Sequence, residues 1–348
     1  MPIRTRIAPT PSGYLHAGNA WSFLLTWLSA RRQGGSIRLR IDDLDAARMR
    51  GEYVEDIFAS LEWLGLDWDT GPRTPAEAET IHSQRLRIPR YREALERLAA
   101  LSAAGPQAPA SPMGPGPLGA EAASPLLYAC SCSRGKVKRD ALNAGRPGLY
   151  PGTCRDAGIE WRRNFDARHP SQESYPLRLH VPGSAEAAIT GAAGEAFTLH
   201  PGRDIGDFVV WQRNGEPAYQ LASLVDDEEF GTDLIVRGKD LLPSSGAQAW
   251  MAGLLGFKTF QGARFLHHDL LVDARGGKLS KSEGAISLRG LRARLGGPGP
   301  LLAFFARKLG IQAASPARAA DLLTGFEPAR IPEGPLFWAD LAREAGIG

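Results

Sequence analysis

Cysteine is scarce in this chain, with three residues among 348. So small and odd a number excludes the closed disulfide framework of a secreted mini-domain and points to a reducing compartment, the cytoplasm. Long apolar runs are missing too. The uncharged stretch from Gly13 to Ala30 is broken by His16, Asn19 and two glycines, so no transmembrane span is expected. The N-terminus has no apolar core ahead of a small-residue cleavage site, so no secretory signal is expected either. Neither charge sign is in large excess: a net charge of +3 and a pI near 8.8 permit a nucleic-acid partner without requiring one. What remains, 43% hydrophobic and 23% charged residues over a length of roughly two domains, is a soluble globular protein with a large core.

The first motif is RIAPTPSGYLHAGN, Arg6 to Asn19. Ile3 and Ile7 alternate with Arg4 and Arg6 as in a strand, Pro9, Pro11 and Gly13 set a turn, and a helix opens near Gly18 and Asn19. Such a passage leaves unpaired backbone amides and a positive dipole end above the sheet, which favours phosphate. His16 lies in the same passage; an ordinary connecting loop with an idle histidine is the plain alternative. Trp21, Leu24, Leu25 and Leu28 continue at helical spacing as an amphipathic or buried helix. Ile37, Leu39 and Ile41 alternate with Arg38 and Arg40 as a second strand that ends in Asp42, Asp43 and Asp45. Carboxylates at the carboxyl end of such a strand lie where ligands bind, while Asp45 is placed to cap the next helix. Val54, Ile57, Phe58, Leu61 and Leu64 mark that helix, and Tyr91, Leu95 and Leu98 another. The alternation implies an α/β fold with a doubly wound parallel sheet.

From Ser102 to Pro125 the pattern stops: ten of these 24 residues are proline or glycine and Glu121 is the only charge, the composition of a disordered insertion. Cys130 and Cys132 follow as a C-x-C pair, with Tyr150 and Cys154 beyond. Three thiolates and a phenolate suit one tetrahedral zinc, with the Pro151-Gly152 turn folding the second pair toward the first; three free buried cysteines are the alternative. The strand pattern resumes at Phe208 with FVVW, turns at Gly215, continues through AYQLASLVDD and, after Gly231, ends in DLIVRG. Arg237 at the end of that run suits a carboxylate or phosphate, or a surface salt bridge to Asp226 or Asp227. Ala247, Trp250, Met251, Leu254 and Leu255 give a further helix. Last, GGKLSKS places Lys278 and Lys281 three apart in a glycine-hinged loop, within reach of one polyphosphate.

In this order the motifs resemble the class I aminoacyl-tRNA synthetases of the glutamyl type. LHAGN stands where that family has its HIGH-type signature, and KLSKS where it has KMSKS. RIAPTPSG is similar to its RxAPSPTG segment, LRIDDLD to LRIEDTD, and AYQLASLVDD with LIVRGKDLL to the strand pair that follows. The resemblance runs from about Ile3 to Ser282. It implies a Rossmann-type catalytic domain in two halves, 1–101 and 205–265. It also implies the insertion at 102–125, a zinc-binding, acceptor-type insertion at 126–204, and the KLSKS loop with a short helical C-terminal region at 266–348. Only residues 283–348 follow the last motif, whereas the anticodon-binding domains of a full glutamyl synthetase need on the order of 100 residues or more. That points to the branch of the family without them, whose members glutamylate queuosine in the anticodon of tRNA(Asp). The zinc site of that branch, C-x-C…Y-x-x-x-C, is similar to Cys130, Cys132, Tyr150 and Cys154.

The resemblance implies a two-step reaction. The α-carboxylate of glutamate attacks the α-phosphorus of ATP, and the glutamyl group then passes to a hydroxyl on the cyclopentene ring of queuosine. By similarity His16, Gly18 and Asn19 hold ATP, and Lys281 with Lys278 neutralises the departing pyrophosphate, magnesium accompanying the nucleotide. Arg6 and Arg237 are assigned to the carboxylates of glutamate, Asp42 to its ammonium, Tyr219 to a hydrogen bond, and Ala8 and Thr10 to the wall of the same turn. One structural zinc per chain, a tRNA(Asp) anticodon arm as partner and a monomeric protein complete the expectation. Two departures bear on it. Asp42 stands where glutamyl enzymes carry Glu, as it does in glutaminyl relatives, and Asn19 replaces the final His of HIGH. Arg237 supplies the cation that a side-chain carboxylate needs and favours glutamate. The competing readings are a shortened glutamyl synthetase that charges the 3′ end of tRNA, and a non-catalytic RNA-binding descendant. A pure binding module has no use for His16, both lysines, Asp42 and Arg237 together.

Overall fold

A computed structural model describes residues 2–104, 125–159, 175–277, 287–313 and 315–347. The expected insertion, apart from its ends, and the KLSKS segment from Lys278 lie outside the described residues.

The chain opens with β1 (Arg4–Ile7), α1 (Ala17–Arg31) and β2 (Ser36–Leu39), a parallel βαβ unit in register from Arg4 with Ser36 to Ile7 with Leu39. Helices α2 (Gly51–Leu64), α3 (Pro75–Thr80) and α4 (Ile88–Ala104) follow. The cysteine region contributes β3 (Leu127–Ala129), α5 (Arg134–Asn143) and β4 (Leu177–Leu179). Next come the hairpin of β5 (Ala187–Gly191) and β6 (Ala196–Leu199), then α6 (Pro201–Asp204), β7 (Phe208–Trp211), α7 (Tyr219–Glu229) and β8 (Leu234–Gly238). After α8 (Leu242–Leu255), α9 (Lys258–Gln261), β9 (Arg264–His268) and β10 (Leu271–Val272), the chain ends with α10 (Leu288–Leu295), α11 (Gly299–Lys308), β11 (Leu336–Phe337) and α12 (Trp338–Glu344).

Strand β8 pairs in parallel with β9, and β9 with β5, which carries β6 antiparallel on its other edge. Beside β8 runs β1: the Asp233 N–H donates to Arg4 O at 2.9 Å and the Thr5 hydroxyl to Leu234 O at 2.7 Å. The strands therefore lie in the order β2, β1, β8, β9, β5, β6. Side chains alternate across β8. Leu234 and Val236 enter one core with α1, α2 and α11, and Ile235 enters another with α4, α7 and α8. A strand covered on both faces needs apolar residues at every position, which is why DLIVRG does not alternate with polar residues. Helix α1 is likewise buried rather than amphipathic: Trp21, Leu24, Leu25 and Leu28 are all at most 1% exposed.

Three expectations are corrected. AYQLASLVDD is not a strand: after the turn bridged by Trp211 and Pro217 it becomes α7, because Leu221, Leu224 and Val225 at i, i+3 and i+4 bury one helical face. FVVW does not join the parallel sheet; it pairs antiparallel with β4, which pairs with β3, in a separate three-stranded sheet. Asp45 does not cap α2, which starts at Gly51 behind Arg50; it accepts from Arg48 Nε at 2.6 Å instead. The C-terminal region also packs firmly: β11 pairs with β10, and Leu341, Ala342 and Ile347 are buried in the same core as α1.

Candidate active site and cysteine cluster

Three neighbouring parallel strands, β2, β1 and β8, end at one cleft of about 420 Å³, where open α/β sheets bind their ligands. Arg6, Ala8, Thr10, His16, Gly18, Asn19, Asp42, Tyr219 and Arg237 all line it, as the sequence leads one to expect. Lys278 and Lys281 lie outside the described residues.

The first turn of α1 forms one wall. His16 is its N-cap: its Nδ1 accepts the Gly18 N–H at 3.1 Å, while Asn19 Oδ1 accepts the His16 N–H at 3.0 Å. This is a reciprocal capping box with His and Asn in the places usually taken by Ser and Glu. A Cβ at Gly18 would meet His16 Cε1 and Nδ1 at 3.0 Å, so glycine is what lets the imidazole lie over the turn. A short amide at position 19 thus has its own task. Asn19→Ala is expected to lower the unfolding free energy by about 1 kcal/mol in a urea titration.

Behind the cleft wall lies a buried cluster of charges. Asp227 accepts from Arg6 Nε at 3.0 Å and from Arg40 Nη1 at 2.8 Å, and its Oδ2 lies 3.8 Å from Arg237 Nη2. Arg40 also grips Asp42, Nε to Oδ1 at 2.6 Å and Nη2 to Oδ2 at 3.2 Å, and reaches Ser223 Oγ at 3.1 Å. Burial pushes the Asp227 carboxyl up, but the Arg6, Arg40 and Arg237 guanidiniums outweigh it and hold Asp227 below the usual carboxylate range. Asp42 stays raised, because its burial exceeds what Arg40 returns. Arg237 Nη1 donates to Gln248 Oε1 at 2.8 Å and to Ser245 Oγ at 3.2 Å. Its Nε and Nη2 make no hydrogen bond among the described residues, and burial lowers its pKa. A guanidinium only 3% exposed, with unbonded N–H groups on a cleft wall, is a place for an anion. The pairing with Asp227 foreseen as the alternative does exist, but buried rather than at the surface.

Sequence reasoning missed Arg40, Ser245 and Gln248, and saw Asp227 only as a partner for Arg237. Alternation along β2 puts Arg40 opposite the apolar face, and in a sheet covered on both sides that face is interior as well. The available signal was Asp226 and Asp227 themselves, two carboxylates in a leucine-rich helix that demand cations nearby. His267 was also missed. Its Nε2 lies 2.9 Å from Ser245 Oγ, and burial, aided by the Arg237 charge, lowers its pKa to about 4. A histidine in the unfolded chain titrates near 6.5, so below that pH the unfolded state takes up the extra proton first and stability falls as pH drops. Between about pH 6.5 and pH 4 the unfolding free energy should fall by up to about 3 kcal/mol from this group, and His267→Gln should flatten that slope in denaturant titrations at several pH values.

A second site forms around the cysteines. The sulfurs of Cys130, Cys132 and Cys154 all lie within 4.8 Å of one another, with Cys132 and Cys154 at 3.4 Å. The Tyr150 hydroxyl is 3.4 Å from Cys130 Sγ and 3.8 Å from Cys132 Sγ, and it accepts the Cys154 N–H at 2.8 Å. Tetrahedral ligands at a Zn–S distance near 2.3 Å are separated by about 3.8 Å, so the three clustered sulfurs could hold a metal ion such as zinc. Tyr128, Cys130, Tyr150 and Cys154 form a small core of their own, apart from the two large ones. Asp207 ties it to its neighbours, accepting from the Tyr128 hydroxyl at 2.5 Å, Arg155 Nε at 3.0 Å and the Val181 N–H at 2.9 Å.

Residues 2–104 and 126–328 match the family of class I tRNA synthetases (E and Q), catalytic domain. A glutamyl-Q tRNA(Asp) synthetase from Symbiobacterium thermophilum is 37% identical over 95% of this chain and 94% of its own length. One from Nitratidesulfovibrio vulgaris is 35% identical over 96% of this chain and 90% of its own length. The chain belongs to the glutamyl-Q tRNA(Asp) synthetases of this class I family. The glutamate–tRNA ligase of Geobacter sulfurreducens is 31% identical over 83% of the chain, but over only 53% of its own length. Among solved structures, a glutamate tRNA ligase from Elizabethkingia meningosepticum shares the fold with a TM-score of 0.71 at 20% identity, covering 99% of this chain and 68% of that one. The family match breaks at the proline- and glycine-rich segment and includes every cleft and cysteine-cluster residue described above. The fold is the mixed α/β catalytic fold of a class I synthetase.

Proposed function

We propose that this protein activates glutamate with ATP, without tRNA, to glutamyl-adenylate and pyrophosphate, and then transfers the glutamyl group to queuosine in the anticodon of tRNA(Asp). The observation that carries the amino-acid step is Arg237, buried at the end of β8 with two N–H-bearing nitrogens unbonded on the cleft wall. Such a group suits the side-chain carboxylate of glutamate and would leave a neutral amide poorly matched. The acceptor rests on likeness to relatives named for it.

In the first step an α-carboxylate oxygen attacks the α-phosphorus, and the bridging oxygen leaves with pyrophosphate, so positioning and charge stabilisation are what the protein supplies. The positive end of the α1 dipole and the pinned His16 ring suit the phosphates, with Gly18 and Asn19 shaping that turn. Lys281, with Lys278, neutralises the pyrophosphate, and magnesium arrives with ATP. Arg6 and Arg237 serve the two carboxylates, Asp42 the ammonium, Tyr219 a hydrogen bond, and Ala8 and Thr10 the wall. Cys130, Cys132, Cys154 and Tyr150 would hold one zinc as a structural ion. On this reading the strand order from β2 to β5 is the doubly wound sheet of a Rossmann-type domain with halves at 1–101 and 205–265, an insertion at 126–204 and the loop and helical region at 266–348. The protein works as a cytoplasmic monomer.

Pyrophosphate exchange with glutamate, glutamine and aspartate in the absence of tRNA tests the first step. Exchange with glutamate is expected; exchange with glutamine alone would overturn the amino-acid assignment, and none with any would overturn the enzyme reading. Labelled glutamate offered with queuosine-containing and queuosine-free tRNA(Asp) tests the second. Labelling that survives without queuosine would favour charging of the 3′ end.

A further inference from the structure

Arg237 and His267 are partners across the parallel strands β8 and β9, so both side chains leave the sheet on the face covered by α8. Ser245, fully buried near the start of α8, meets both of them. Its Oγ has three partners: Arg237 Nη1 at 3.2 Å, His267 Nε2 at 2.9 Å and Leu241 O at 3.2 Å. A hydroxyl has one proton to give and two lone pairs to offer. The guanidinium only donates and the carbonyl only accepts, so all three bonds are made together only when His267 Nε2 carries a proton. The hydroxyl then accepts from Arg237 and from His267 and donates to Leu241. Burial and the Arg237 charge hold the His267 pKa down at about 4, so this N–H belongs to one neutral tautomer. The ring lies parallel to that of Phe265, two residues earlier on the same face, with 5.8 Å between centroids and 3° between planes, which limits its rotation.

We propose that His267 is a positioning residue for the amino-acid carboxylate: its Nε2–H holds the Ser245 hydroxyl with a lone pair toward Arg237, and so sets which edge of the guanidinium is turned to the cleft. The inference rests on the reading of Arg237 as the partner of that carboxylate. Arg237 Nη1 carries two protons, and α8 takes both, one at Ser245 and one at Gln248 Oε1, 2.8 Å away. Gln248 is held in turn, its Nε2 donating to Gln220 O at 3.3 Å. Two fixed acceptors on one nitrogen define the plane and the rotation of the guanidinium. Its Nε and Nη2, which make no hydrogen bond among the described residues, are thereby kept for a ligand. A fork pairs with a carboxylate only when the two planes match, so loss of either fixed point costs affinity while the charge stays in place. Without a donor at position 267, the Ser245 oxygen keeps only its bond to Leu241, and one of the two points loosens.

The test measures KM for glutamate and for ATP in tRNA-independent pyrophosphate exchange, for the natural protein, His267→Leu, His267→Gln, Ser245→Ala and the double variant His267→Leu/Ser245→Ala. His267→Leu and Ser245→Ala should each raise the glutamate KM about fivefold, the size of one net hydrogen bond, with kcat and the ATP KM within about twofold. The double variant should lose no more than about twofold beyond either single one, because both changes break the same connection. His267→Gln, whose amide N–H can donate to Ser245 from the place of Nε2, should stay within about twofold of the natural protein. An ATP KM that rises with the glutamate KM in His267→Leu, losses that multiply in the double variant, or a His267→Gln no better than His267→Leu would each overturn the proposal. If His267→Leu does not fold, Ser245→Ala decides, because an unchanged glutamate KM there breaks the connection to Arg237. Absence of glutamate-dependent exchange in the natural protein would instead overturn the reading of the cleft itself.

Discussion

Arg237→Ala should lower kcat/KM for glutamate in tRNA-independent pyrophosphate exchange by on the order of 100-fold, with most of the loss in KM for glutamate and none in KM for ATP. The size follows from burial. An arginine only 3% exposed, with Nη1 held by Gln248 and Ser245 and with Nε and Nη2 without a hydrogen bond among the described residues, offers a desolvated and oriented charge. The split follows from connectivity. Arg237 is held by Gln248 and Ser245 of α8, whereas the turn assigned to ATP is held by the cap of α1, and the two share no hydrogen bond. Asp227 keeps Arg6 and Arg40 in the variant, so no carboxylate is left buried without a partner and the protein should still fold. Arg237→Lys restores the charge without the fork and should recover only part of the loss. Equal losses in the constants for both substrates would show that Arg237 supports the sheet end rather than the amino acid.

Much of this site was legible because it sits in short segments whose chemistry is unusual for their setting. His16 and Asn19 in a strand-to-helix turn, Asp42 at a strand end and Arg237 after an apolar run each stand out against local pattern, and all four meet at one cleft. Arg40 did not stand out, because alternation assigns it to solvent unless the sheet is known to be covered on both faces. Helix α7 was mistaken for a strand for a related reason: a short apolar run between turns fits either period, and only the packing of Leu221, Leu224 and Val225 decides. The antiparallel sheet of β3, β4 and β7 joins segments far apart in the chain, and such pairings leave no trace in local periodicity. The cysteines and Tyr150 were legible from donor chemistry and the Pro151-Gly152 turn, the resemblance pointed to the same four residues, and the Tyr150 hydroxyl lies 3.4 Å from Cys130 Sγ.

Cys130→Ser should lower zinc affinity by about 10-fold or more, read as zinc content by mass spectrometry after dialysis, and should open the region from β3 to the turn after α5 to limited proteolysis. Serine offers an alcohol where zinc prefers a thiolate, and Cys130 is fully buried beside the Tyr150 hydroxyl, so no water-filled relaxation is at hand. The same variant should keep tRNA-independent pyrophosphate exchange within about threefold, because Cys130 belongs to a small core separate from the two that carry the cleft strands. One link between them runs through Asp207, which bonds Tyr128 and Arg155 on the cysteine side and Val181 just past β4, and β4 leads through β7 to α7 and its Asp227. That chain of contacts defines the opposite outcome. If exchange collapses together with zinc content, the cysteine cluster and the cleft fold as one unit, and the alignment of Asp227 with its three arginines depends on that cluster being closed. Full zinc content in the variant would remove Cys130 from the ligand set and leave Cys132, Cys154 and Tyr150 too few to close a tetrahedral site.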